Sequence, residues 1–175
     1  MEAEQDKTLR ALQVAIQMEI DGKEFYLKAR RESGNELGKK LLESLAGEED
    51  VHRRTFEEIY RALKEKKGWP ETEFKPDGGK SLRTLFATAT EAGSEMKAQA
   101  TELDAVKTAM AMENETYDYY KDQGQTATYD GERDFYQALM AQEREHYLVL
   151  LDYYEYLKDS AGWFVQKEHP SLDGG

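Results

Sequence analysis

Two glutamate–histidine pairs hold most of the chemical potential of this sequence. Glu49-Asp-Val-His52 and Glu143-Arg-Glu-His146 each set a carboxylate three residues ahead of an imidazole. On a helix, positions i and i+3 share a face, so each pair can offer an oxygen and a nitrogen to one cation. Two more glutamates join them through a repeat. Glu19 to Glu113, Glu49 to Glu143 and His52 to His146 are each separated by 94 positions. The same shift carries Ala11, Ala15, Met18, Tyr26, Leu45, Tyr60 and Leu63 onto identical residues without a gap. The chain therefore reads as a tandem duplication that has kept its acids and both of these histidines. The remaining histidine, His169, is expected to be exposed near the end of the sequence.

The surroundings of the pairs decide between a metal site and a solvated face. Leu42, Leu45, Glu49, His52, Phe56, Ile59 and Leu63 advance by alternating steps of three and four, the pattern of a packed helix seam. Tyr136, Leu139, Glu143, His146, Leu150, Tyr153 and Leu157 repeat it. Glu19 shares a heptad position with Leu12 and Tyr26, and Glu113 with Val106 and Tyr120. Each stripe thus carries a carboxylate, and none carries a lysine or arginine. The alternative puts Glu49 and Glu143 on the surface with both histidines neutral in the core. It must still leave carboxylates on apolar stripes without a cation, at a cost of several kcal/mol. Two divalent cations cancel four carboxylates.

Carboxylates with one imidazole per metal suit iron or manganese, and zinc can be accommodated. Glu49 and Glu143 are expected to bridge two ions. His52 and His146 should bind one each, with Glu19 and Glu113 as terminal ligands. In the metal-free state all four carboxylates are expected to have raised pKa values. Tyr26 and Tyr120, two turns from the terminal acids, could hydrogen-bond a carboxylate or pass an electron, or could simply be core aromatics. Glu48 and Gln142, one turn before each histidine, could orient the imidazoles.

The elements that must position these residues are helices. Periodicity predicts them over about Thr8–Glu32, Asn35–Lys66, Glu102–Asp122 and Gly131–Lys158, with no strand. Thr101 and Asp104 resemble a capping box, and Asp130 is a candidate N-cap. Short connections make each pair a hairpin, and a crossover of about 67–100 links the hairpins. Gly68 to Gly79 is rich in turn residues, and a short helix fits between Ser81 and Met96. The bundle occupies 1–158. A tail over 159–175 is expected to be irregular, pinned by Trp163 and Phe164.

Composition narrows the partners. Lys and Arg number 24 against 36 Asp and Glu, a formal net charge of −12. That disfavours nucleic acid and anionic membrane surfaces. No apolar run reaches the ~18 residues of a membrane span, and the N-terminus lacks a secretory pattern, so a cytoplasmic protein is expected. Cysteine is absent, which excludes disulfides, thiolate metal sites and a cysteine nucleophile within these residues. There is no Walker loop, dinucleotide fingerprint or nucleophile elbow.

Four stretches together resemble a known family: Met18-Glu-Ile-Asp-Gly-Lys-Glu-Phe-Tyr26, Glu49-Asp-Val-His52, Met112-Glu-Asn-Glu-Thr-Tyr117 and Glu143-Arg-Glu-His146. The pattern is similar to that of the ferritin-like di-iron carboxylate proteins and, more narrowly, to the rubrerythrin family, over roughly residues 8–158. The resemblance implies an all-α ferritin-like four-helix bundle, two iron ions, reaction with peroxide or dioxygen, and a homodimer. Two departures accompany it. Rubrerythrins usually carry a rubredoxin domain, but no cysteine is present here, so the reductant must be a separate donor, a rubredoxin-like protein among the options. Rubrerythrins often also have an extra carboxylate one turn after the third-helix ligand, where this sequence has Thr116, with Gly22 as its repeat partner. The expected activity is that of a di-iron peroxidase or ferroxidase. The alternatives are an iron-binding or storage protein without turnover and a helical module with structural metals.

Overall fold

The computed structural model describes residues 2–65, 67–91, 100–160 and 162–163. Five helices occupy the described residues: α1 Glu2–Glu32, α2 Glu36–Lys64, α3 Lys80–Glu91, α4 Ala100–Gln125 and α5 Asp130–Lys158. None is long and apolar enough to cross a membrane. The four long helices are the expected ones, and α1 begins several residues earlier than its periodicity predicts.

The helix ends follow local chemistry. The Asn35 side chain accepts the Gly38 backbone N–H at 2.6 Å and caps α2. At α5 the cap differs from expectation. Tyr129 is the N-cap residue, and Asp130 already lies in the first turn. Glu132 reaches back to accept the backbone N–H groups of Thr128 at 2.8 Å and Tyr129 at 3.3 Å. That supplies the carboxylate half of a capping box one residue ahead of the expected register. Thr101 falls inside α4 rather than capping it.

Side-chain pairings define the topology. Tyr26 meets Glu113 and Tyr120 meets Glu19, so α1 and α4 run antiparallel. Asn35 meets Tyr153 and Phe56 meets Phe135, so α2 and α5 also run antiparallel. With both hairpins antiparallel, α2 and α4 must point the same way. The link between them therefore has to traverse the bundle, about 43 Å for a 29-residue helix. It does so along α5. Trp69 packs on Tyr129 and Phe135, Phe74 on Phe135, and Phe86 on Tyr156. Trp163 also packs on Phe86, at 5.6 Å, pinning the start of the tail as expected. Phe164, His169 and residues 92–99 lie outside the described residues.

The core has two apolar parts. One gathers Tyr26, Leu42, Leu45, Val106, Leu150 and Leu157. The other gathers Leu12, Phe56, Ile59, Tyr120, Tyr136 and Leu139. Between them lies the buried polar set. At the α1–α2 turn a second polar contact ties the hairpins together. Glu102 Oε1 accepts from Ser33 Oγ at 2.6 Å, from Asn35 Nδ2 at 2.8 Å and from the Tyr153 hydroxyl at 2.8 Å. Gly38 is needed there because a Cβ would run into the Tyr153 hydroxyl and Ser33 Oγ.

Candidate metal centre

The bundle brings all six predicted residues to one place. Glu19 comes from α1, Glu49 and His52 from α2, Glu113 from α4, and Glu143 and His146 from α5. Each is less than 5% exposed. Their placement follows from the seams: a helix that buries Leu45 and Phe56 must also bury Glu49 and His52 between them.

The atoms sort into two overlapping groups. Glu19, Glu49, His52 and Glu143 offer ligand atoms within 4.8 Å of one another, and so do Glu49, Glu113, Glu143 and His146. Glu49 and Glu143 belong to both. Glu49 sets Oε2 3.6 Å from His52 Nδ1 and Oε1 3.2 Å from His146 Nδ1. Glu143 sets Oε1 3.3 Å from His52 Nδ1 and Oε2 3.7 Å from His146 Nδ1. Glu19 Oε2 lies 3.4 Å from His52 Nδ1, and Glu113 Oε2 lies 3.3 Å from His146 Nδ1. The imidazole rings are nearly parallel, 5.7 Å apart.

The terminal acids are held by tyrosines of the opposite half. The Tyr26 hydroxyl donates to Glu113 Oε1, and the Tyr120 hydroxyl donates to Glu19 Oε1. Burial raises both phenol pKa values well above their usual range, and Glu113 beside Tyr26 and Glu19 beside Tyr120 raise them further. Both hydroxyls therefore stay protonated and act as donors. Each tyrosine occupies one carboxylate oxygen and leaves Oε2 free.

Those free atoms test whether a metal pair fits. Glu19 Oε2, Glu113 Oε2, Glu143 Oε1, His52 Nδ1 and His146 Nδ1 are buried and make no hydrogen bond. Orphaned buried polar atoms are uncommon, and these five converge. Without a cation the set must hold protons. Burial, then Glu49, pushes Glu19 up to about 8. Burial, Glu49 and Glu113 push Glu143 well above the usual carboxylate range. Burial opposes the charged imidazoles, but Glu19 beside His52 and Glu113 beside His146 overcome it and raise both. Glu49 departs from expectation. Burial would raise it, but Glu19 and the two imidazoles that face it outweigh burial and hold it well below the usual range. With Glu19, Glu143 and both imidazoles raised, Glu49 is the lowered acid at the centre.

The residues around the imidazoles are also partly as expected. Glu48 Oε2 lies 2.9 Å from Nε2 of His146, across the interface, rather than serving His52 on its own helix. Gln142 donates to Glu48 at 2.5 Å and orients neither ring directly. Thr116 turns its hydroxyl to Met112 O at 2.9 Å, and Gly22 lies against the Glu49 side chain. Neither position offers an extra carboxylate.

Phe74 was not singled out by its sequence, yet it packs against His52 at 5.4 Å, ring to ring at 80°. The nearby cavity of about 380 Å³ is lined by Glu48, His52, Phe74, Asp77 and Gln142, among others. No local pattern marks Phe74, because its role depends on the crossover's path over α2 and α5.

A four-helix bundle with a traversing crossover and a central carboxylate–imidazole set is the architecture of the ferritin-like proteins. Within that class, the sequence pattern that defines the family Rubrerythrin matches residues 10–154, and the chain belongs to the rubrerythrin family. Comparison with curated proteins and with solved structures gives no match. Rubrerythrins are di-iron proteins, and the buried carboxylate–histidine set could hold such a metal pair.

Proposed function

We propose that the protein is a di-iron oxidoreductase that reacts with hydrogen peroxide or dioxygen, as a peroxidase or ferroxidase, and takes its electrons from a separate donor. Glu49 and Glu143 would bridge the pair, His52 and His146 would bind one ion each, and Glu19 and Glu113 would be terminal ligands. The observation that carries this reading is that five orphaned, buried ligand atoms fall within the two overlapping carboxylate–histidine groups. An iron pair held there would supply two electrons by passing from ferrous to ferric, the number needed to reduce peroxide, with two protons, to two waters.

The chain's own residues set the conditions. Tyr26 and Tyr120 hold Glu113 and Glu19 by one oxygen each and fix the direction of the other. Glu48 holds His146 by Nε2 and aims Nδ1 inward. The two apolar layers exclude bulk water from above and below. A cavity reaching His52 beneath the crossover admits a molecule the size of peroxide.

The test is metal analysis of anaerobically purified protein, followed by stopped-flow spectra of the reduced protein with peroxide and with dioxygen. Two irons per chain and oxidation by at least one oxidant are expected, with sustained turnover only when a donor is added. A di-iron protein inert to both would overturn the enzymatic reading and leave iron binding or storage.

A further inference from the structure

All six ligand candidates obey the 94-residue repeat, but one neighbouring pair breaks it. Glu48 and Gln142 occupy equivalent positions, and one is a carboxylate where the other is an amide. The structure turns that difference into an asymmetry between the two halves. Glu48 Oε2 lies 2.9 Å from His146 Nε2 and is itself braced by Gln142 Nε2 at 2.5 Å. Gln142 returns nothing to His52: its Oε1 is buried and has no hydrogen-bond partner. Among the described residues no side chain hydrogen-bonds His52 Nε2. That ring meets Phe74 instead and lines the cavity beneath the crossover. Glu48, Glu73 and Asp77 border the cavity against a single Lys75, a net negative approach suited to a cation.

We propose that the two metal positions are unequal, Glu48 making the His146 position the tight one while the His52 position loads second and exchanges through the cavity beside Phe74. The proposal rests on the two-metal reading above. An imidazole that donates its second N–H to a carboxylate is a more basic and better oriented ligand, and loss of such a partner weakens metal binding ~10–100-fold. His146 has this partner and is fully enclosed; His52 lacks it and borders the cavity. Glu48 is a positioning residue, since it acts on the metal only through His146.

The experiment titrates the metal-free full chain with Co(II), followed by visible absorption, then times the loss of bound Co(II) to a chelator. Wild-type protein should bind in two steps about tenfold or more apart and lose its ions in two phases. Glu48→Gln, the same size as the native side chain, should weaken the tight step ~10–100-fold and leave the weak step in place. His146→Ala should remove the tight step, and His52→Ala should retain it. Phe74→Ala should accelerate only the fast phase of loss. Single-step binding with single-phase loss in the wild-type protein overturns the proposal without any variant. So does a Glu48→Gln protein that keeps both steps, or a His146→Ala protein that keeps the tight one. Two ions bound equally would sink only the inequality; a chain that binds no metal would sink the two-metal reading itself.

Discussion

The hydroxyl of Tyr26, on the first helix, donates to Glu113, a carboxylate of the other half of the repeat. Tyr120 returns the contact to Glu19. The two hairpins are thereby locked to each other at the residues proposed to hold metal, and each terminal acid is left with one free oxygen.

Removing one of these hydroxyls should loosen the site without emptying it. Tyr26→Phe leaves Glu113 Oε1 buried without a donor, a loss of about 1–3 kcal/mol. It should also weaken metal binding ~10–100-fold through misdirection of Oε2. Denaturant melts and metal titration of Tyr26→Phe and Tyr120→Phe measure the two effects. Unchanged values in both variants would mean the tyrosines are only packing.

Loss of a shared acid should be felt by both ions. Glu49→Ala and Glu143→Ala each remove a residue common to the two groups. Bound metal should fall well below two per chain in either variant, as it should in His146→Ala. Elemental analysis after gel filtration reads the stoichiometry, and a wild-type value in these variants would refute the ligand assignment.

The pH dependence of stability should change sign with metal. In the metal-free protein Glu19, at about 8, stands above its ordinary 4.5. The native state keeps a proton the unfolded chain has released, so this group lowers stability as pH rises through that window. Glu143, raised by burial and by Glu49 and Glu113, acts the same way. Protonated His52 and His146 stabilise the fold fully below their ordinary 6.5, and that contribution is lost as pH rises through their raised values. Glu49, held low, contributes above 4.5 and is lost only as pH falls through its folded value. Metal-free protein should therefore weaken from about pH 5 to pH 8. Bound metal favours the deprotonated ligands, so the metal-bound protein should gain over the same range. Urea melts of both forms at fixed free metal test this; parallel curves would argue against a shared buried site.

Two glycines of α2 should respond in opposite directions. Gly47 is exposed in mid-helix, and a Cβ there meets nothing within 4 Å. Gly47→Ala should stabilise by about 0.5–1 kcal/mol through reduced freedom of the unfolded chain. Gly38→Ala would collide with the Tyr153 hydroxyl and Ser33 Oγ and disturb the Glu102 contacts. A loss of about 1–3 kcal/mol is expected there. Thermal melts of the two variants give the comparison, and the same sign in both would contradict the packing described.

The six-residue set was legible in the sequence because it rests on local periodicity. Glu49 and His52 sit on a stripe with Leu45 and Phe56, and whatever buries that stripe buries them. The repeat then required Glu143 and His146 to do likewise, and the hairpin connections required two antiparallel pairs. Nothing beyond helical geometry and the dislike of charge for an apolar core was needed. Helix ends were less legible, because a cap depends on one backbone turn: Glu132, not Asp130, supplies the capping carboxylate at α5. Periodicity could say neither which helix lies beside which nor which way a side chain turns at the seam. Glu48 serves His146 and not His52, Phe74 covers His52, and Tyr26 holds Glu113, because α1 lies against α4 and the crossover runs along α5. The sign of Glu49's shift likewise depended on which neighbours keep their protons. Residue types and spacing determined what could bind. The difference between its two halves begins with Glu48 standing where the repeat has Gln142, and is completed by contacts between residues far apart in the chain, formed when the helices pack.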